Sequence, residues 1–333
     1  MLSNAIRFGR FARRGQTSSR PVRVAKSFMF TTNAPQASSV LTANLICVVS
    51  MLIWAAALPA AELVIPLLLP EQLNALRMGL AALFLLPTWA LVEGWQPLLR
   101  VNWLKGIAVG SLIGVGAWFL VMGQARGGPV TVAVISASTP IVGIALEVVL
   151  DGRKMTHALI LGLILSLIGG FMALDFSSGR PSLGLGALFC FASVLSFTLG
   201  SRLTVTAFPD QSPLGRTTVT LVGAAIAVVG FAAIQMASGV PPPSFAAWGW
   251  REIGAILLFS IGALAISQVL WIMAIGRLGI AMTALHMNAT PFYVMMFLFA
   301  FGGRWDWSQA AAAAVVGAGV LIAQGLISLP KGR

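Results

Sequence analysis

The sequence predicts an all-α integral membrane protein whose ten transmembrane helices form two inverted five-helix repeats. Composition is the first observation behind this reading. Of 333 residues, 58% are hydrophobic and 9% charged, where a soluble domain carries about 25% charged residues; mean hydropathy is +0.92. Segment length is the second. Apolar runs lie near 43–64, 73–92, 104–123, 130–150, 157–175, 182–206, 216–238, 252–275, 279–301 and 309–328. Each is about 20 residues, enough for a helix to cross roughly 30 Å of hydrocarbon. The third observation is an internal repeat, the first thing to look for because it governs the whole architecture.

Shifted by 151 residues, Arg126–Arg153 falls on Arg277–Arg304, and seven of 28 positions coincide. They are Arg126/Arg277, Gly128/Gly279, Ala133/Ala284, Thr139/Thr290, Pro140/Pro291, Gly152/Gly303 and Arg153/Arg304. At a shift of 139, Pro70-Glu71-Gln72…Arg77 is echoed by Pro209-Asp210-Gln211…Arg216, and a longer loop in the second half accounts for the difference. Five spans in each copy make the first copy start inside and the second outside. Such inverted repeats, related by a pseudo-two-fold axis in the membrane plane, recur in secondary transporters with a midplane site.

In chain order, residues 1–41 are a basic tail with Arg7, Arg10, Arg13, Arg14, Arg20, Arg23 and Lys26 and no acid. The tail has no apolar core of a secretory signal. Two readings are open: a disordered cytoplasmic segment held near anionic lipid by its charge, and an organellar transit peptide, whose Arg- and Ser-rich, acid-free composition it shares. Residues 42–178 are the first repeat, 179–328 the second, and 329–333 a short basic tail. Tight turns are expected at Arg126-Gly127-Gly128-Pro129 and at Arg277-Leu278-Gly279. In the third span, Gly106, Gly110 and Gly114 stand four apart on one stripe, the pattern of close helix packing either within a bundle or between chains.

With the N-terminus inside, sixteen Lys and Arg fall on the cytoplasmic side and four (Arg126, Arg180, Arg251 and Arg304) outside. This is the positive-inside asymmetry, and it puts both termini in the cytoplasm. Trp95, Trp103, Trp248, Trp250, Trp305 and Trp307 fall near span ends, where aromatic belts form. Cys47 and Cys190 lie in apolar runs and read as small buried hydrophobes.

These features resemble the EamA branch of the drug/metabolite transporter superfamily over residues 43–328. The residues that carry the resemblance are Ser50-Met51-Leu52-Ile53-Trp54 in span one, Arg77 in span two and the Thr-Pro pairs of spans four and nine. Gly162, Gly169 and Gly170 in span five and Gly317, Gly319 and Gly325 in span ten add to it. The resemblance implies a ten-helix transporter of small metabolites with a cavity between the halves. One departure stands out: the Gly-Glu pair that usually closes spans four and nine has Arg153 and Gly303 at its Glu positions.

Candidate lining residues are Trp54, Trp118, Gln124, Ser136, Gln268 and Trp271, polar or amphipathic side chains at interior depth. Trp with Gln suits an amphipathic ligand in a mostly apolar pocket; lipid-facing or helix-packing Trp is the competing reading. His286 has Ile135 as its repeat partner, and a polar residue in one copy alone points to a ligand. Its imidazole is able to carry a proton near neutral pH, or to serve as a neutral hydrogen-bonded group. Asn288, two residues on, is expected to face elsewhere.

Arg77 and Arg216 are candidate gates or anchors, since ionisable groups at depth face a cavity or partner unless the stem snorkels to the headgroups. Pro140 and Pro291 are candidate hinges, each freeing a backbone carbonyl mid-span. Glu147 and Asp151, followed by Arg153 and Lys154, read as a solvated charge cluster at a helix end.

The function expected is secondary transport, mainly export, of a small organic metabolite such as an amino acid or a related amphipathic compound. Alternating access would drive it, downhill or with protons as the coupling ion. A multidrug efflux pump of the same fold is the alternative, disfavoured because span one has no acid before Glu62. A membrane-embedded enzyme would need clustered acids, His or Cys, and nine acids and two His are dispersed along the chain. No cofactor, metal or nucleic-acid partner is expected. The partners expected are the metabolite and membrane lipid, with the chain a monomer or homodimer in a bacterial inner (plasma) membrane.

Overall fold

Apolar runs of this length fold as helices because hydrocarbon offers no partner to an unpaired backbone group, and a helix satisfies its own. The computed structural model describes residues 37–152, 156–172, 182–278, 283–305 and 307–323. The N-terminal tail, Arg153, Lys154, Arg180, Gly279 and the tail at 329–333 lie outside the described residues. So do the side chains of Glu147 and Asp151.

Among the described residues every regular element is helical. The elements are α1 (Ala37–Ala61), α2 (Pro70–Glu93), the short α3 (Gln96–Arg100), α4 (Trp103–Ser136), α5 (Thr139–Asp151), α6 (His157–Met172), α7 (Ser182–Ala207) and α8 (Pro213–Ala237). Then α9 (Trp250–Leu257) runs through a π-helical stretch, Leu258–Ile266, into α10 (Ser267–Leu278). A 3-10 turn over Leu285–Ala289 leads into α11 (Thr290–Ala300), and α12 (Trp307–Ala323) follows. Among the described residues six helices are long and apolar enough to cross a membrane: Leu41–Ala61, Pro70–Glu93, Trp103–Ser136, Gly184–Ala207, Pro213–Ala237 and Trp250–Leu278.

Between 104–123 and 130–150 a tight turn is expected at Arg126–Pro129, and there α4 is two helices joined across a kink at one non-helical residue, Gly128, at φ 76° and ψ 172°. That conformation suits glycine, and Pro129, fixed near a helical φ, restarts the helix directly after it. A second interruption, which the apolar pattern did not predict, comes at Ala137–Ser138. Pro140 has no N–H to offer the carbonyl of Ser136. The Thr139 hydroxyl donates to that carbonyl at 2.5 Å instead, and the Ser138 hydroxyl donates to Ile135 O at 2.6 Å.

The equivalent Thr290-Pro291 opens α11 after the 3-10 turn. Both prolines therefore sit in the first turn of a helix, where an N–H would be unpaired in any case, rather than mid-helix. At this second site the Thr290 hydroxyl turns away to Met51 Sδ on α1, 3.7 Å distant.

Helix contacts run across the two halves of the sequence. α4 packs on α7 and α8, α2 on α8, α1 on α10, and α6 on α12. Glycine sets the α4–α8 distance. A Cβ at Gly110 would lie 2.3 Å from both Ala224 N and Thr220 O, and one at Gly223 would lie 2.2 Å from Gly106 O. The Gly106/Gly110/Gly114 stripe is thus used inside the bundle. Backbone contact of this kind is how small residues hold helices together where lipid is as apolar as leucine.

α1 and α10 are stitched by a pair of serines. Ser50 Oγ donates to Ser267 O at 2.8 Å, Ser267 Oγ donates to Ser50 O at 2.9 Å, and the hydroxyls are 3.0 Å apart. Both are buried.

A mid-helix cavity between the two halves of the sequence

The helices that meet at the centre contribute residues from their middles and from the breaks between them. Met51 and Trp54 come from α1, Arg77 and Met78 from α2, and Ser136 and Thr139 from the break between α4 and α5. From the other half come Phe197 on α7, Leu221 on α8, Ala263 on the π-helical stretch, and Ser267, Gln268 and Trp271 on α10. They enclose a cavity with an empty volume of about 750 Å³, its open mouth included. Its wall is mostly apolar, with a few polar groups at fixed points, the general character of a small-molecule site.

Local structure places these groups. The π-helical stretch carries one extra residue per turn, an arrangement that is rare and concentrated at functional sites; here it supplies Ala263 and Leu264 to the wall. The α4–α5 break brings Ser136 and Thr139 to the cavity, with the Thr139 hydroxyl bonded to Ser136 O. Trp271 is fully packed, its ring 6.2 Å from that of Phe197 and tilted by 42°. Its indole Nε1 has no hydrogen-bond acceptor.

Of the residues singled out in the sequence, Trp54, Arg77, Ser136, Gln268 and Trp271 are brought together here. The others stand elsewhere. Gln124 is buried but engaged: its Nε2 donates to Leu58 O at 2.6 Å and to Glu62 Oε1 at 2.8 Å. Trp118 belongs to an aromatic group on the α4–α7 contact, 5.4 Å from Phe119 and 6.3 Å from Phe189.

His286 and Asn288 are half-buried on the 3-10 turn. His286 Nδ1 and Asn288 Oδ1 lack a hydrogen-bond partner, and it is Met287, between them, that reaches the cavity. Arg216 ties the start of α8 to the end of α7, with Nε donating to Phe208 O at 2.8 Å and Nη2 to Pro209 O at 2.6 Å. Pro140 and Pro291 are at the helix breaks, one residue beyond Thr139 and Thr290. Sequence reasoning passed over Phe197, Ser193 and Ser267, all of which line the cavity. The one available signal was the pairing of Ser50 and Ser267 as polar residues in otherwise apolar runs.

Among the described residues Arg77 is the one charged side chain that lines the cavity. It is 1% exposed, and its guanidinium carbon lies 3.7 Å from the centroid of the Phe259 ring. Such stacking satisfies part of the charge but none of the five in-plane donors. Nε and Nη1 have no acceptor.

Comparison with known proteins agrees with this architecture. An uncharacterized transporter of Bacillus subtilis (strain 168), YyaM, is 28% identical over 269 residues, which span 79% of this chain and 87% of that protein. A solved crystal structure, 20% identical, superposes with a TM-score of 0.62 over 86% of this chain and 97% of its own; at that identity the likeness concerns the fold. Residues 41–174 match the EamA-like transporter family. With its apolar helices, the chain is a multi-pass integral membrane protein whose residues 41–174 are similar to the EamA-like transporter family.

Proposed function

We propose that the chain is a secondary transporter that moves a small organic metabolite through the central cavity by alternating access, in the export direction. In this reading ten spans form two inverted five-helix repeats, with both termini in the cytoplasm of a bacterial cell. The observation that carries it is the cavity itself. Its walls come from helices of both halves of the sequence, where a rocking motion of one repeat against the other would expose a site to each side in turn. The helix breaks before Thr139-Pro140 and Thr290-Pro291 stand at equivalent repeat positions, and broken helices are the usual articulation in such folds. The kinship with a transporter-named protein of B. subtilis supports the same reading.

Efflux from proteoliposomes tests it. Vesicles holding the purified protein are loaded with a mixture of amino acids and other small metabolites. Efflux is followed by mass spectrometry, with and without a pH gradient. Selective, protein-dependent loss of one compound class is expected, and a gradient effect would identify protons as the coupling ion. Identical contents in loaded and protein-free vesicles would remove the transport reading.

A further inference from the structure

Why a buried, unpaired arginine stands in this cavity is answered by its repeat partner. The echo of Pro70…Arg77 in Pro209…Arg216 makes the two arginines equivalent in sequence, yet their side chains do different work. Arg216 spends its donors on the carbonyls of Phe208 and Pro209, seven and eight residues earlier. The corresponding carbonyls for Arg77 are those of Leu69 and Pro70, and Arg77 does not take them through Nε or Nη1. It turns to the cavity instead and stacks on Phe259. A buried guanidinium left without an acid is costly, and among the described residues the lining holds no Asp or Glu to offset it. What removes that cost is an anion with oxygen acceptors, and a carboxylate fits the planar fork in two-point fashion.

Two further features agree. α5 begins at the cavity wall with Thr139, so the positive end of its dipole faces the same space. Its first amides, Ile141 N and Val142 N, are taken by Ser138 O, which leaves Arg77 as the direct ligand. The remainder of the wall is mostly apolar, with the rings of Trp54, Phe197 and Trp271, and its other polar side chains, Ser136, Thr139, Ser193, Ser267 and Gln268, are uncharged.

We propose that Arg77 is the anion-binding residue of the cavity, and that the compound it selects is a monocarboxylate with an apolar body. A lone cation in a mostly apolar, otherwise uncharged wall disfavours ligands whose only charge is positive, cationic drugs among them. This deepens the transport reading of the same cavity, but it is tested by binding and needs no transport.

Three probes with a common body and different charge decide it: 3-phenylpropanoate, its neutral amide, and 3-phenylpropylamine. Each is titrated into the full-length detergent-purified protein while tryptophan fluorescence is recorded. The carboxylate is expected to bind saturably and at least about tenfold tighter than the amide, a difference of about 1.4 kcal/mol, with the amine weakest. In Arg77→Gln the carboxylate is expected to fall to the affinity of the amide while amide binding persists, and Arg77→Lys is expected to recover part of the preference.

Equal binding of all three, or tightest binding of the amine, overturns the proposal, and this comparison holds on the unsubstituted protein even if the variants fail to fold. Loss of carboxylate binding when phosphatidylglycerol is added to the micelles would assign the site to a lipid headgroup and overturn it too. Carboxylate-selective binding without efflux from vesicles would keep this inference and sink the transport reading. Efflux without charge selectivity would do the reverse.

Discussion

Replacing Gly110 by alanine is expected to disrupt the bundle strongly. The added carbon would stand 2.3 Å from Ala224 N and Thr220 O and 2.6 Å from Gly223 C. These are backbone atoms of a facing helix, so no rotamer change relieves them. α4 and α8 would have to separate, and the shared contacts along Gly106, Gly223 and Ala224 would open with them. Overpacking costs about 1–3 kcal/mol when side chains can give way, so backbone collision belongs at about 3 kcal/mol or above. At roughly 2–4 °C per kcal/mol, the thermal midpoint in detergent is expected to fall by about 10 °C. Gly230→Ala is the control on α8, where an added Cβ meets nothing within 4 Å. Alanine in an exposed helix interior is worth up to about 1 kcal/mol over glycine, so its midpoint should hold or rise. Equal behaviour of the two variants would refute the close crossing.

Filling the cavity is expected to stop transport without unfolding the protein. Ser136 lines the cavity at the break between α4 and α5, and its carbonyl, which Ser136→Trp retains, is the group that Thr139 caps. An indole at that position occupies the space a ligand needs. Initial efflux of the identified compound is expected to fall by about tenfold or more, equivalent to about 1.4 kcal/mol of lost recognition, while elution from a sizing column stays monodisperse. Leu83→Trp, at a position of α2 that is 72% exposed, should leave both unchanged. Undiminished efflux in Ser136→Trp would mean that the compound travels by another route.

Much of this organisation was legible in the sequence because lipid leaves few alternatives. A run of apolar residues in hydrocarbon must be helical, and the glycine stripe of span three could only mean close approach. The Thr-Pro repeats likewise marked helix breaks, although the sequence placed them mid-span and the structure places each proline in a first turn. Direction was harder to read. A helix apolar on all sides has no stripe to show which face is inward, and so Phe197 and Ser193 gave no sign that they meet Trp54 across the centre. Polarity alone also misled. Gln124 and Gln268 look alike in sequence, but Gln124 is held by Leu58 and Glu62 while Gln268 lines the cavity. Arg77 and Arg216 are equivalent by repeat, and only the positions of nearby carbonyls separate a loop tie from a group facing empty space.

The central claim is that one cavity serves both sides of the membrane, and site-directed thiol labelling tests it most directly. Ser136→Cys is made in a background where Cys47 and Cys190, both buried and free, are replaced by alanine. A membrane-impermeant maleimide is then applied separately to right-side-out and inside-out vesicles, with a permeant reagent to confirm that the thiol reacts. Alternating access predicts labelling from both faces, slowed in each case by the transported compound. Labelling from one face alone, whatever the compound present, would contradict it.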